Sequence, residues 1–291
     1  MNPSGTATSP TPRKLGIDHL TLLGLTPPEM VTLAAEVGFD YVGLRVRPAT
    51  AGESGYPMHP GAPMVKQTVA LLDSTGVEVL DTEATTLDGA TSREDWLPAL
   101  EVSASLGARF FSVIVADEDL ARAAADLAQL VEDAKGFDIR PSIEPITYRT
   151  IHSVPAAAEM ARSAPGAGVV IDTLHFTRFG GTVEEVVGLV DLLSWVQLCD
   201  GPASAPVGLR RPTTMPAGQS LAGTDLQVES RAVRELPGEG EFLLRELLSA
   251  LPASTPLAVE SPNVDRAAQM GPKAYAEAAL RATRALLADL S

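Results

Sequence analysis

The chain has 291 residues, 45% of them hydrophobic and only 4% aromatic, so it can bury a large core built mainly from Ala, Val and Leu. Its formal net charge of −15 argues against a nucleic acid as partner, because binding to phosphates requires a basic surface. Cys199 is the only cysteine, which excludes an internal disulfide.

The first segment, residues 1–13, is rich in Pro, Ser and Thr and lacks the apolar stretch of a signal peptide. We expect it to be a disordered leader before one folded domain over residues 14–291. No apolar run approaches the roughly 18 residues that a membrane-spanning helix needs. The sequence therefore predicts a cytoplasmic protein that makes no membrane contact.

Strand-like and helix-like segments alternate eight times after the leader. Short apolar segments predict strands over 14–25, 40–46, 77–85, 108–116, 137–146, 167–176, 194–200 and 255–263. Amphipathic segments predict helices within 26–39, 59–76, 92–107, 117–136, 153–166, 182–193, 242–252 and 275–290. The first helix has Thr26 as its expected N-cap, prolines in its first turn, and Gly38 at its end.

This alternation requires a parallel sheet with helical crossovers. Eight such units in 291 residues favour a closed (β/α)8 TIM barrel, an α/β fold, over an open doubly wound sheet. The missing GxGxxG motif after the first strand also disfavours a Rossmann fold. One connection is unusually long, residues 201–240 after strand seven, and we interpret it as an active-site lid over the barrel mouth.

Oxygen-bearing side chains stand at the ends of four neighbouring predicted strands. They are Glu144 on strand five, Asp172 on strand six, Gln197 and Asp200 on strand seven, and Glu260 on strand eight. In a TIM barrel these ends meet in one mouth, where active sites lie. Carboxylates in one pocket raise each other's pKa, so either some are protonated or a cation neutralises them. An oxygen-rich set favours one divalent Mn²⁺ or Mg²⁺ ion, with Co²⁺ as a further option.

Four short motifs occur along this part of the chain: SIEP at Glu144, DTLH at Asp172, RELPGEG at Arg234, and AVES at Glu260. In this combination, and over nearly its whole length, the chain resembles the xylose isomerase-like TIM-barrel superfamily of sugar isomerases and epimerases. The resemblance implies that Glu144, Asp172 and Glu260 are metal ligands. It also implies that Arg234, and His175 of the DTLH motif, contact the substrate.

Gln197 stands where many sugar epimerases of this superfamily have a histidine metal ligand. Glutamine is also a neutral ligand, so the charge balance at the metal is unchanged, but zinc is less favoured. The resemblance includes dehydratases that act on 3-dehydroshikimate, some of which have glutamine at this position. Alternatively, Gln197 is a hydrogen-bonded core residue, and Asp200 caps a loop instead of binding the metal.

Three further residues are candidates for substrate binding at the mouth. His19 lies at the end of the first strand, Arg45 ends the second, and Glu83 ends the third. Alternatively, Arg45 and Glu83 pair with each other on the rim. For Asp172, a role as helix N-cap is disfavoured, because the next predicted helix begins well beyond it, near Thr182.

The favoured function is a divalent-metal-dependent sugar isomerase or epimerase that acts on a ketose or a related polyol ketone. Glu144 and Glu260 would transfer the proton through an enediolate, and His175 and Arg234 would stabilise the developing oxyanion. The first alternative is a dehydratase of the 3-dehydroshikimate or inosose type, because the same enolate can expel a β-hydroxyl. The second is a non-catalytic protein that binds a carbohydrate or a cyclic polyol ketone. Assembly into a homo-oligomer is left open.

Overall fold

Eight parallel strands, numbered in chain order, close into a barrel in which each strand pairs with the next and the last pairs with the first. The computed structural model describes residues 13–49, 52–53 and 55–290. The strands are β1 (Leu15–Ile17), β2 (Tyr41–Arg45), β3 (Glu78–Leu87), β4 (Phe110–Val115), β5 (Arg140–Ile143), β6 (Gly168–Asp172), β7 (Leu193–Leu198) and β8 (Leu257–Val259). The expected (β/α)8 topology is confirmed.

Helices connect the strands around the barrel. In the described part of the chain they are α1 (Pro27–Val37), α2 (Pro63–Thr75), α3 (Arg93–Ser105), α4 (Leu120–Lys135), α5 (Val154–Ser163), α6 (Thr173–Arg178), α7 (Val183–Val187), α8 (Asp225–Ala232), α9 (Leu244–Ala250), α10 (Val264–Met270) and α11 (Pro272–Ala288). Short 3-10 turns form over His19–Leu22 and Pro216–Gly218. None of these described helices has the length and apolar character that a membrane span requires.

The first helix begins and ends where the sequence indicates. Thr26 and Glu29 form a capping box in which the Thr26 backbone N–H donates to Glu29 Oε2 at 2.7 Å. Gly38 ends α1 in the left-handed conformation, with φ of 93°, which glycine adopts without steric cost. Both expectations for this helix are confirmed.

Apolar side chains fill the barrel interior below the strand ends. Five strands contribute one buried cluster, which consists of Tyr41, Leu80, Val170, Trp195 and Ala258. A larger apolar cluster joins the outer faces of the strands to the surrounding helices. Because the lower interior is filled, polar side chains face one another mainly near the C-terminal strand ends.

Two strands are shorter than expected. The segment 14–25 contains only β1 as strand, and the chain then forms the 3-10 turn at His19–Leu22. The segment 167–176 leaves the sheet at Asp172, where α6 begins. In both segments apolar residues after the strand are also buried, but they lie in a helical turn. Apolar character alone therefore does not show where the strand ends and the turn begins.

Three helices, α6, α8 and α10, are missing from the sequence-based expectation, and a fourth is shorter. The segment 201–240 contains α8, whose N-terminus has a capping box formed by Thr224 and Gln227. The helix expected over 182–193 ends early, because α7 covers only Val183–Val187. The long connection is therefore partly helical, and its capping box is a sequence signal that marks α8.

Arg13 is the one described residue of the expected leader, since residues 1–12 lie outside the described part of the chain. Its Nη2 donates to the backbone oxygens of Pro252 at 3.1 Å and Thr255 at 2.8 Å. Arg13 therefore contacts the segment before β8, and the disordered leader and the domain boundary at residue 14 stay predictions.

Gly43 on β2 allows two buried carboxyl groups to approach the strand closely. A Cβ at this position would lie 2.8 Å from Asp81 Oδ1 and still closer to Asp18 Oδ1. Both aspartates are fully buried. We expect Gly43→Ala to lower the free energy of unfolding by about 1–3 kcal/mol, the usual cost of overpacking a core, as measured by urea unfolding.

Gly136→Ala is the matched control. Gly136 ends α4 with a helical φ of −64°, and the nearest atom to an added Cβ is 3.6 Å away. This variant should keep or slightly raise the stability. Equal unfolding midpoints for the two variants would contradict the packing argument.

Candidate active site

A polar cavity opens at the C-terminal ends of the strands. The residues expected from the sequence that line it are Arg45, Glu83, Glu144, His175, Gln197, Arg234 and Glu260. Asp172 lies directly behind this lining, 1% exposed, and contacts Arg234. The fold therefore brings together side chains from six strands or the segments that follow them, and from the long connection after β7.

Asp172 both caps a helix and takes part in the site. Its Oδ1 accepts the backbone N–H of Leu174 at 2.7 Å, which makes it the N-cap of α6. Its Oδ2 accepts a hydrogen bond from Arg234 Nη1 at 2.7 Å. The expectation that Asp172 caps no helix is wrong, because the helix begins at Thr173 and not near Thr182.

Arg234 places a buried positive charge between two of the expected metal ligands. Its Nη1 lies 2.7 Å from Asp172 Oδ2 and 3.1 Å from Glu260 Oε2. Its Nε donates to the backbone oxygen of Ser230 at 2.7 Å. Burial alone would lower the pKa of Arg234, but the negative charge of Asp172 raises it, so the guanidinium stays charged. Burial alone would raise the pKa of Asp172, but the charge of Arg234 holds it below its ordinary value.

Glu144 and His175 face each other without close contact. His175 Nε2 lies 4.0 Å from Glu144 Oε1, and among the described residues the Glu144 carboxylate accepts no hydrogen bond. Burial, followed by the charge of Asp172, raises the pKa of Glu144 to about 8. Burial lowers the pKa of His175 to about 4, so its ring is neutral, and its Nδ1 lies 3.1 Å from Thr147 Oγ1. The pair offers a carboxyl group and a neutral ring nitrogen to a ligand.

Gln197 uses only half of its amide within the protein. Its Nε2 donates to Asp18 Oδ2 at 3.0 Å and to Glu260 Oε1 at 3.2 Å. Its Oε1 is buried and has no hydrogen-bond partner among the described residues. Because an unpaired buried carbonyl is costly, this oxygen is available as a neutral donor to a cation. The amide nitrogen is hydrogen-bonded in the core, as the alternative interpretation of Gln197 states. Metal binding by the amide oxygen stays a prediction.

The charges of the site fit a divalent cation. When ionised, Glu144, Asp172 and Glu260 carry three negative charges, and Arg234 supplies one positive charge, so two negative charges need a counterion. Ligand atoms of Glu144, Asp172 and His175 all lie within 4.8 Å of one another. Protons on Glu144 and Glu260, whose pKa values burial raises, would also balance these charges, but a divalent cation balances them and leaves both carboxylates ionised. The donor set therefore suits one divalent metal that prefers oxygen ligands.

Arg45 and Glu83 pair with each other, as one of the sequence-based alternatives states. Arg45 Nη2 lies 2.8 Å from Glu83 Oε2, and its Nη1 lies 2.9 Å from Glu53 Oε1. His19 is held by the backbone, because its Nδ1 accepts the N–H of Arg45 at 2.9 Å and its Nε2 lies 2.7 Å from the oxygen of Leu25. His19 is not among the described residues that line the cavity. Substrate contact by Arg45 and Glu83 stays a prediction.

Asp18 and Asp81 are buried beneath the cavity, and sequence reasoning missed both. Asp18 Oδ1 and both carboxyl oxygens of Asp81 have no hydrogen-bond partner in the described part of the chain. Burial, followed by neighbouring carboxylates, raises the pKa of both groups well above the ordinary value, which favours their protonated forms. The available signal is an acidic residue directly after β1 and another inside the apolar β3.

Asp200 caps a loop, which is the alternative to metal binding that the sequence left open. Its carboxylate accepts the backbone N–H groups of Gly201, Gly238 and Phe242, each at 2.9 Å. Its backbone also pairs with that of Glu235. Asp200 therefore fixes the PGEG turn next to Arg234 and does not face a metal site.

The segment 201–240 is attached to the barrel through α6 and α8. Arg178 donates to both carboxylate oxygens of Glu229, at 2.8 and 2.6 Å, and these side chains are 2% and 5% exposed. Arg178 also donates to the backbone oxygen of Pro202 at 3.0 Å. The segment contributes Gln219 and Arg231, two residues missed from the sequence, to the cavity lining. Its movement as a lid stays a prediction.

We expect Arg178→Gln to loosen α8, because it leaves the buried Glu229 carboxylate without its cation. Breaking such a pair costs about 3–5 kcal/mol, and Glu229→Gln in the same chain should restore part of the loss. Hydrogen exchange over residues 225–232 and urea unfolding measure the two effects. Arg281→Gln, which removes an exposed pair with Glu277, is the control and should change neither. Unchanged exchange in Arg178→Gln would show that α8 is held by other contacts.

Comparisons with solved structures support the fold at low sequence identity. An IolI protein with a bound zinc atom is 15% identical at a TM-score of 0.72, and 96% of this chain and 99% of that chain are covered. D-allulose 3-epimerase from Methylomonas sp. is 15% identical at a TM-score of 0.66, with 94% and 97% covered. The probable 3-DHS dehydratase AsbF from Bacillus anthracis is 12% identical at a TM-score of 0.69, with 92% and 97% covered.

No curated protein matches the chain in sequence. The sequence profile of the xylose isomerase-like TIM barrel family, however, matches residues 31–286. This range covers all strands but the first, and it includes every residue that we assign to the metal site. The chain therefore belongs to the xylose isomerase-like TIM barrel family.

Proposed function

We propose that the protein is a divalent-metal-dependent isomerase or epimerase that moves a proton next to the carbonyl group of a ketose or related polyol ketone. The observation that carries this proposal is the charge imbalance of the site. Arg234 forms ion pairs with Asp172 and Glu260, and a third carboxylate, that of Glu144, lies near Asp172 without an arginine of its own among the described residues. A binding protein for neutral sugars has no need of this costly buried arrangement.

Glu144, Asp172, Gln197 and Glu260 would hold the metal, which when bound polarises the substrate carbonyl and makes the adjacent C–H acidic. Glu144 takes the proton, because its carboxylate is the one not held by hydrogen bonds within the described residues. Glu260 lines the same cavity and returns a proton, to the neighbouring carbon in an isomerisation or to the opposite face of the same carbon in an epimerisation. The result is an isomerisation or an epimerisation through an enediolate.

His175 would orient the substrate oxygen. When the Thr147 hydroxyl donates to Nδ1, the proton of the neutral ring is on Nε2, the nitrogen that faces Glu144. Nε2–H can then donate to the oxygen on which negative charge develops. Arg234 lines the same cavity and adds a fixed positive charge.

A dehydratase is the second candidate, favoured by the unequal surroundings of the two glutamates. Glu260 Oε1 accepts from Gln197 and Oε2 faces Arg234, whereas the Glu144 carboxylate has no such partner among the described residues. An elimination needs one base, which Glu144 supplies, and a separate acid such as His175 to protonate the leaving hydroxyl. The similar structures include both an epimerase and a probable 3-DHS dehydratase, so they support the reaction class and not one outcome.

Solvent deuterium exchange distinguishes these functions. The protein, supplied with Mn²⁺, is incubated in D₂O with D-fructose, D-ribulose, an inosose or 3-dehydroshikimate, and the products are followed by NMR. Deuterium on the carbon next to the carbonyl, with an altered stereocentre or carbonyl position, supports the isomerase or epimerase. Loss of water without exchange in recovered substrate supports the dehydratase. Tight binding without either reaction supports the non-catalytic alternative and contradicts the proposal.

We expect Glu260→Gln and Asp172→Asn to differ. Glu260→Gln keeps an oxygen donor but removes a base, so metal stays bound while turnover falls about 10²–10⁴-fold. Asp172→Asn removes a charge that balances the cation and also the carboxylate nearest to Arg234, at 2.7 Å, which leaves the guanidinium free to repel the cation, so metal and activity are lost together. Elemental analysis and the exchange rate measure both quantities, and Glu246→Gln on the exposed face of α9 is the control. Normal turnover in metal-loaded Glu260→Gln would show that Glu144 is the sole base, in favour of the dehydratase.

A further inference from the structure

Four arginines line the cavity of a chain whose net charge is −15. Two of them are neutralised, because Arg45 pairs with Glu53 and Glu83, and Arg234 pairs with Asp172 and Glu260. The other two, Arg149 and Arg231, form no ion pair within the described residues. Their charges are therefore available to a ligand in the cavity.

Arg149 has an unsatisfied donor inside the protein. It follows Tyr148 in the loop after β5, and its guanidinium lies 5.8 Å from the centre of the Tyr148 ring. Its Nε is buried and has no hydrogen-bond partner in the described part of the chain. A buried charged donor without an acceptor is costly, and an anionic oxygen is the acceptor that offsets this cost best.

Arg231 is held at the cavity by the long segment after β7. Its Nε donates to the backbone oxygen of Gln227 at 2.7 Å, and its Nη2 donates to that of Ala222 at 2.8 Å. These bonds fix the guanidinium through neutral acceptors, so its charge is not cancelled. The side chain is held in place before a ligand arrives, which lowers the entropic cost of binding.

One hydrogen bond joins the two residues that precede the arginines in the chain. Tyr148 Oη lies 2.7 Å from Ser230 Oγ, and each of these residues directly precedes one of the arginines. Glu144 and Glu260 line the same cavity. Besides the carboxylates that would hold the metal, the cavity therefore contains two cationic side chains that no carboxylate of the described residues neutralises.

We propose that the substrate carries an anionic group, a carboxylate or a phosphate, which Arg149 and Arg231 bind while the ketone end faces Glu144 and Glu260. The placement of the ketone rests on the proposed function, whereas the anion site does not. Gln219 lines the cavity, and its buried Oε1 also has no hydrogen-bond partner among the described residues. This oxygen accepts a hydrogen bond from a hydroxyl group of the same ligand. The substrate class is thus a polyol keto acid or a ketose phosphate.

Matched ligand pairs test this proposal by titration calorimetry of the Mn²⁺-supplied protein. One pair is D-ribulose 5-phosphate and D-ribulose, and the other is 3-dehydroshikimate and its methyl ester. We expect the anionic member of at least one pair to bind at least ten times more tightly than the neutral member. A preference in one pair alone identifies the anion as phosphate or as carboxylate.

Arg149→Gln and Arg231→Gln should each reduce that preference about tenfold, and Arg149→Lys should restore part of it. Arg162→Gln, on the exposed surface of α5, makes the same change in net charge and should leave the preference intact. Melting temperatures establish that each variant is folded. Retained preference in the Arg149→Gln, Arg231→Gln double variant, an equal loss in Arg162→Gln, or no preference in either pair would each overturn the anion site.

The calorimetric result is independent of turnover. Anion binding that depends on Arg149, without any deuterium exchange or loss of water, supports the anion site and contradicts the proposed function. Exchange on neutral ketoses without any preference for anions supports the proposed function and contradicts the anion site. The two proposals can therefore fail separately.

Discussion

Arg234 Nη1 lies within hydrogen-bonding distance of carboxylate oxygens from two strand ends, Asp172 on β6 and Glu260 after β8. This buried cation sets the charge balance among Glu144, Asp172 and Glu260. Without it, three carboxylates in a largely desolvated cavity would need a trivalent counterion or several protons. With it, the remaining imbalance equals the charge of one divalent metal. The other features of the site follow from the need to hold this guanidinium in place.

The segment that carries Arg234 is fixed at several points. Asp200 caps the turn that follows Arg234, and Arg178 connects α6 to the buried Glu229 of α8. Because α6 also carries His175 and begins at Asp172, the same short helix supports both the candidate oxyanion donor and the metal site. Movement of α8 would therefore change the position of Arg234 relative to Asp172. The architecture links the long connection after β7 directly to the chemistry at the strand ends.

The fold, and the convergence of Glu144, Asp172, Gln197 and Glu260 near the strand ends, could be predicted from the sequence, because both depend on local patterns. Alternating apolar strands and capped helices give the barrel, and residues at strand ends converge whatever the rest of the chain does. The pairing of Arg234 with Asp172, and of Arg178 with Glu229, could not be predicted, because each contact joins distant segments through an irregular connection. Asp18 was missed because a polar residue directly after an apolar strand resembles an ordinary turn residue, and Asp81 was missed because it lies inside β3 and not at a strand end. The short α6 was missed because its buried residues continue the apolar pattern of β6.

The proposed site requires one divalent cation per chain. The most direct measurement is calorimetric titration of the chelator-treated protein with Mn²⁺ and with Mg²⁺, together with the melting temperature. The account predicts a stoichiometry of one, lost in Asp172→Asn and kept in Asp73→Asn, an exposed position on α2. At a metal concentration one hundred times the Kd, the stabilisation should be about 2.7 kcal/mol, which raises the Tm by several degrees. Absence of a binding heat and an unchanged Tm with both metals would contradict it.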